Sequence, residues 1–174
     1  NLMLMNGSAF DNLFRIRPAC PIDMSQILEV FNLAREQMYQ SGNRSQWSVD
    51  YPSEQQLLKD IAEGYLYLCF SNNEFCAVFA LIFGEDPTYR VIYEGEWLND
   101  APYATLHRVA GSGRVKGIGR FILDWCLERS QNLRVDTHAD NGVMLHLLQS
   151  MGFRYCGIIY VANGTARLAF QKSL

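Results

Sequence analysis

The chain has 174 residues, 49% of them hydrophobic and 13% aromatic, with a formal net charge of −3 at pH 7. That length and apolar content suit one globular domain, residues 1–174, and exclude an intrinsically disordered chain. The slight acidity gives no overall attraction to nucleic acid or an anionic membrane, so positive charge that matters must be local.

Cys20, Cys69, Cys76, Cys126 and Cys156 are odd in number and form no C-x-x-C pair. The expectation is reduced thiols in a cytoplasmic protein, with neither a disulfide framework nor a zinc site and no metal. The longest apolar run, residues 75–83, is too short to span a bilayer. Residues 1–7 lack the cationic start and apolar stretch of a signal peptide, and 1–12 read as a flexible or loosely packed N-terminus.

Residues 13–17 alternate apolar and polar positions and stop at Pro18, which suits a first strand. Asp23 then caps a helix with Ile27, Val30, Phe31, Ala34 and Met38 on one face, ended by Gly42. Ser53 with Gln56 forms a capping-box pattern for a second helix through Leu57, Leu58 and Ile61. Residues 65–70 and 74–83 are strands joined by Ser71-Asn72-Asn73, hence a hairpin. Residues 84–102 read as a long connection with a short strand near Val91-Ile92.

Residues 104–109 make the next strand. After a glycine loop, Ile118, Phe121, Ile122 and Trp125 recur at helical spacing on one stripe. Residues 133–136 are a strand, and 141–151 a helix with Met144, Leu148 and Met151, stopped at Gly152. Residues 155–161 and 166–171 close the chain as a hairpin across Ala162-Asn163-Gly164. The class is α/β: a single-layer mixed, mostly antiparallel sheet with helices on both faces.

The glycine loop carries the functional signal. Arg114-Val115-Lys116-Gly117-Ile118-Gly119 lies between a strand and a helix, with Arg120 following. Glycines there let the backbone turn tightly and expose N–H groups at the positive end of the helix, a site for phosphate or pyrophosphate. A dinucleotide fingerprint needs a third Gly, but position 122 is Ile. A Walker loop needs Gly-Lys followed by Ser or Thr, but here Lys116 precedes Gly117.

The element order and this loop together resemble the GNAT family of N-acetyltransferases from about residue 14 to 172. Arg114-x-x-Gly117-x-Gly119 resembles the family loop that binds the pyrophosphate of acetyl-coenzyme A through backbone N–H groups. Asn141 stands where the family places an Asn that contacts the cofactor, and Gly152-Phe153 resembles the pair ending the next helix. The resemblance implies a fourth and fifth strand that splay apart, with the pantetheine arm against His107, Arg108, Val109 and Ala110. It implies that the N–H at or near His107 holds the thioester carbonyl, and that an amine attacks the thioester directly. Family members are often dimers, so a homodimer is one expectation.

Two positions depart from the family. The usual Tyr acid falls at Leu148, and the usual Glu base falls at Tyr103. His107 and His138 are the catalytic candidates, because unperturbed His titrates near neutrality; each also reads as a strand-end His simply hydrogen-bonded in place. Asp136 reads as orienting His138 or capping the next helix, and Cys156 as a nucleophile only with a nearby base. Trp47, Tyr51, Tyr93 and Trp97, with Glu94 and Glu96, are candidates for binding a small-molecule or peptide amine. The competing reading is a non-catalytic coenzyme A-binding sensor or scaffold of the same fold.

Overall fold

Apolar residues fill both faces of the chain's longest strand, so the sheet it centres must be covered on both sides. The computed structural model describes residues 13–174, and the expected loose N-terminus at 1–12 lies outside the described residues. The strands are β1 (Phe14–Pro18), β2 (Leu66–Ser71), β3 (Glu74–Phe83), β4 (Ala104–Gly111), β5 (Asn132–Thr137), β6 (Arg154–Tyr160) and β7 (Ala166–Ser173). They form one sheet in the order β1-β2-β3-β4-β5-β7-β6, in which β4 and β5 are parallel and the other neighbours antiparallel. The helices are α1 (Met24–Gln40), α2 (Glu54–Ala62), α3 (Ile118–Ser130) and α4 (Gly142–Ser150).

Helices α1 and α2 cover one face, where Ile27, Phe31 and Leu57 bury against Leu68, Val78 and Ala80. Helices α3 and α4 cover the other, where Ile122, Leu123 and Leu148 pack on Phe79, Leu81 and Leu106. Leu148, at the family's usual Tyr position, is fully buried and serves the core.

Three local expectations change. Asp23 stands at the start of α1, but its carboxylate accepts from Cys20 N–H at 2.8 Å and from both Arg17 Nη atoms at 2.9 Å. It therefore ties β1 to the turn before the helix instead of capping the helix. Ser53 Oγ does accept from Gln56 N–H at 3.1 Å, yet the Gln56 amide donates to Asp60, so the capping box is half formed. Finally, there is no strand at Val91-Ile92. A single 3-10 turn, Pro87–Tyr89, is capped by Asp86, and Tyr93 bridges Ile158. Two glycines permit that close approach: a Cβ on Gly95 would stand 2.0 Å from Cys156 O, and one on Gly157 2.5 Å from Tyr93 O.

The sheet is interrupted at its centre. β4 and β5 pair only through Ala104↔Leu133 and Thr105↔Arg134, and from there on they part. In the same region β4 bulges against β3, with Arg108 in the left-handed region at φ 51°. The Arg108 guanidinium reaches α2 and grips Asp60 through Nε at 2.7 Å and Nη2 at 3.0 Å, both side chains almost fully buried. Removing one member of such a pair strands a buried charge. Asp60→Ala is expected to lower unfolding free energy by about 3–5 kcal/mol, read from the denaturant midpoint.

Candidate active site between strands β4 and β5

The cleft left by the parting strands leads to the loop that joins β4 to α3. Gly117 adopts φ 80°, a conformation that costs a residue with a Cβ about 1–2 kcal/mol, and its carbonyl starts α3 by accepting from Phe121 N–H at 3.1 Å. Among the described residues, the N–H groups from Val115 to Arg120 have no backbone or side-chain acceptor. They sit at the positive end of a 13-residue helix. Around them, Arg114 stands 3.9 Å from Glu74 with both side chains exposed, Arg120 donates to Ser150 Oγ at 3.2 Å, and Lys116 is exposed. The arrangement suits a pyrophosphate: orphan donors and a helix dipole lie in a loop that also carries Arg114, Lys116 and Arg120.

Inside the cleft, residues 107–111 of β4 face no β5 partner. Backbone amides on that edge can pair with the amides of an extended arm, as a missing strand would. Arg108 and Ala110 have main chain rather than side chain to offer there, since the Arg108 side chain turns to α2 and Ala110 packs with the α1 cluster.

At the head of the cleft, His107 projects into a partly buried polar network. Its Nε2 lies 2.6 Å from Asp86 Oδ2 and its Nδ1 3.9 Å from Asp136 Oδ1. Asp86 also accepts from Thr88 N–H and Thr88 Oγ1–H, and its own N–H donates to Tyr103 Oη at 2.8 Å. Burial opposes ionisation of Asp86, but bonding and charge from His107 with the two Thr88 donors outweigh it and hold the carboxyl at about 2. Asp86 therefore contributes stability that is complete above the unfolded value of 3.8 and lost as pH falls through about 2. The stability gap between the natural chain and Asp86→Asn should narrow steadily as the pH of thermal melts is lowered from about 5 to about 2.

Asp136 does neither job expected of it. It accepts the Tyr89 hydroxyl at 2.5 Å and faces His107, while Asn141 Oδ1 caps α4 by accepting from Met144 N–H at 3.2 Å. Tyr89 is buried, and burial together with Asp136 pushes its phenol well up, so it stays protonated and donates.

His138 lies in the turn before α4, where Nδ1 accepts from Asp140 N–H at 3.0 Å and Nε2 meets Ser45 Oγ at 3.3 Å. Both ring nitrogens are thus engaged in holding the turn and the α1–α2 connection. Asn141 Nδ2 donates to Gln46 Oε1, and Arg167 Nη2 to Gln46 O, so that connection is fastened across the end of the cleft. Cys156 is buried, and burial pushes its thiol up, away from a nucleophile's range.

Sequence reasoning passed over Asp86, Tyr89 and Gln46. Asp86-Pro87-Thr88 carried a readable signal, an Asp cap followed by Pro at the first position of a turn. Nothing local marks the link of Tyr89 to Asp136 or of Gln46 to Asn141, partners that lie 47 and 95 residues away in the chain.

No family model matches the sequence, and no curated protein matches it. Solved structures do. A GNAT-family acetyltransferase from Streptococcus agalactiae 2603 is 33% identical, with 92% of this chain and 95% of that one covered at a TM-score of 0.85. The chain belongs to the GNAT family of acetyltransferases. A GNAT-family acetyltransferase from Listeria monocytogenes shares 16% identity over 94% of this chain and all of that one, at a TM-score of 0.69. Arabidopsis thaliana Naa50, solved with the bisubstrate analogue CoA-Ac-MVNAL, shares 13% identity over 92% of this chain and 99% of that one, at 0.60. These last two share the fold.

The expected acceptor aromatics of this GNAT chain separate into two groups. Trp47 packs on Phe31 and Tyr51, beside a cavity of about 350 Å³ that Arg35, Tyr39, Asn43 and Arg44 also line. Tyr93, 51% exposed, meets Tyr160 edge-on. Trp97 is a wall rather than a free face: its N–H donates to Tyr89 O, and Arg134 stacks between Trp97 and Tyr103 at 4.1 and 3.9 Å. Glu94 and Glu96 are exposed. A second cavity of about 200 Å³ borders His107 itself, with Ile82, Asp86 and Thr105 in its lining. Among the described residues no cluster of His, Cys, Asp and Glu is arranged to hold a metal, and no helix is long and apolar enough to cross a membrane.

Proposed function

We propose that this GNAT chain, as a single acyltransferase domain, moves an acetyl group from acetyl-coenzyme A to an amine by direct attack on the thioester. The observation that carries the reading is one alignment of features. The strands part after Thr105 and Arg134, the orphan N–H cradle lies in the loop that joins β4 to α3, and His107 sits at the head of the cleft. The likeness to a protein solved with a coenzyme A-containing bisubstrate analogue supports the cofactor and keeps peptide amines among the acceptors.

In this reading Val115 to Arg120 hold the pyrophosphate by main chain, with Arg114, Lys116 and Arg120 adding charge. The unpaired edge of β4 from His107 to Ala110 orients the arm, and an N–H near His107 stabilises the oxyanion that develops on the carbonyl oxygen. A nitrogen–carbon bond forms, the carbon–sulfur bond breaks with its electron pair on sulfur, and the protons shed by nitrogen pass to the base and to the leaving sulfur. His107 is the better base, because His138 has one ring nitrogen committed to its turn and the other to Ser45 on the α1–α2 connection. Trp47, Tyr51 and Tyr93 line the approach of the acceptor.

Leu148 in the core favours the second reading, a non-catalytic coenzyme A-binding module, because the family's usual acid is missing. Thiol release from acetyl-coenzyme A over a panel of amines separates the two. Release that requires both acetyl-coenzyme A and an amine is expected. Tight coenzyme A binding with no release over the panel would leave the module.

A further inference from the structure

The connection between α1 and α2 has two sides, and only one of them belongs to the cleft. Ser45 Oγ meets His138 Nε2 at 3.3 Å, while Gln46 accepts from Asn141 Nδ2 on its side chain and from Arg167 Nη2 on its main chain. The neighbouring Asn43, Arg44 and Trp47 instead line the cavity of about 350 Å³, opposite Arg35 and Tyr39 of α1. No described residue of β4, β5 or the glycine loop lines it, so this space is separate from the cleft. Small-molecule sites typically enclose roughly 300–1,000 Å³, a range that includes it.

The lining selects an anion with an apolar body. Arg35 is placed by neutral acceptors, Nη1 donating to Tyr51 O at 2.6 Å and Nη2 to Asn32 Oδ1. Arg44 lies over the Tyr39 ring, 4.5 Å from its centroid, and a guanidinium on a ring face keeps its in-plane donors for another partner. Neither guanidinium is ion-paired with a carboxylate among the described residues. Glu36 is the only acid among the described lining residues, so positive charge prevails there. Trp47, packed on Phe31 and Tyr51, and Tyr39 supply ring faces. Asn43 is 4% exposed; its Nδ2 donates to Gln46 Oε1 at 2.9 Å, yet its Oδ1 has no partner. A buried acceptor left unpaired in the lining asks for an N–H or O–H from whatever fills the space.

We propose that this cavity binds a small organic carboxylate with an apolar body and a neighbouring N–H, the chemistry of an apolar amino acid or its N-acyl derivative. Arg44 and Arg35 hold the carboxylate, Tyr39 and Trp47 flank the body, and Asn43 Oδ1 takes the N–H. Gln46 Oε1 accepts from both Asn43 and Asn141, so a ligand that engages Asn43 acts on the residue that also fastens the cap of α4. The carboxylate belongs either to the acceptor of the proposed acetyl transfer or to a separate molecule. Only the choice between these two sources rests on the acetyl-transfer reading; the binding does not.

The experiment follows the Trp47 indole N–H of the full chain by NMR, without acetyl-coenzyme A, during titration with N-acetyl-L-phenylalanine and with its neutral amide. The acid is expected to shift the Trp47 signal, with an affinity that falls as salt is raised, and to bind roughly tenfold more tightly than the amide. Arg44→Gln, at an exposed position, should fold normally and lose most of that advantage. Turnover then identifies the source. If the carboxylate is the acceptor's, L-phenylalanine has a lower KM than phenethylamine, N-acetyl-L-phenylalanine competes with it, and Arg44→Gln erases the preference. If it belongs to a separate molecule, N-acetyl-L-phenylalanine changes kcat for phenethylamine without competing. No shift of the Trp47 signal, equal binding of acid and amide, or an unchanged response in Arg44→Gln overturns the proposal. Absence of thiol release from every amine, with the NMR titration intact, would defeat the transferase reading and leave the carboxylate site standing.

Discussion

A Gly119→Asp chain is expected to fold and to lose coenzyme A. Gly119 is the second residue of α3, and a Cβ there would stand 2.7 Å from Leu147 Cδ2, the tip of a flexible side chain that can move aside. An acid in the first turn of a helix interacts favourably with its dipole, so the helix itself should tolerate the change. The penalty falls on binding. A carboxylate about 4 Å from a phosphate oxygen, at an effective dielectric near 20, is repelled by about 4 kcal/mol, close to a thousandfold in affinity. Calorimetric titration with coenzyme A measures the loss, and circular dichroism checks the fold. Gly117→Asp should lose binding as well, with some loss of stability, because its φ of 80° strains any side chain. Normal coenzyme A affinity in Gly119→Asp would remove the cradle from this cleft.

His107→Ala is expected to reduce kcat by roughly a hundred- to ten-thousandfold while leaving affinity for coenzyme A almost unchanged. The second nitrogen of this imidazole, Nδ1, has no hydrogen-bond partner among the described residues, its nearest carboxylate oxygen on Asp136 being 3.9 Å away. Its removal takes away the proton acceptor without touching the cradle or the main-chain edge. His138→Ala should behave differently, loosening the contact with Ser45 and acting through the α1–α2 connection. A KM effect for the amine, with kcat largely kept, is the expected signature there. Equal losses of kcat in the two variants would mean that the ring bonds of His138 do not hold during turnover.

The elements that sequence revealed best are those with local physics. Asn72 and Asn73 at positive φ turn the β2–β3 hairpin, and Gly117 with Gly119 opens α3, because turn chemistry is written in neighbouring residues. The helical stripe through Ile122 and the core position of Leu148 follow from periodicity alone. What escaped depends on chain crossings. Asp136 reads as a partner of His138 two residues on, yet β5 ends at Thr137, so His138 turns away into the loop before α4 while Asp136 stays on the strand beside Tyr89 and His107. Asp60 carries no mark of its ion pair in the sequence, because Arg108 lies 48 residues on and stands at a bulge.

That bulge has a thermodynamic consequence for the cleft. A regular strand aims its amides along the ladder, whereas the thioester carbonyl of the proposed transfer would need one aimed off it. The chain meets this need when it folds: Arg108 is held in an uncommon backbone state by an ion pair with a different helix, before any substrate arrives. Under the proposed function little reorganisation would then be left for the encounter itself, the entropy loss at the strand edge having been incurred on folding. A chain with Asp60 removed should therefore bind coenzyme A with a more unfavourable entropy even at temperatures where it remains folded.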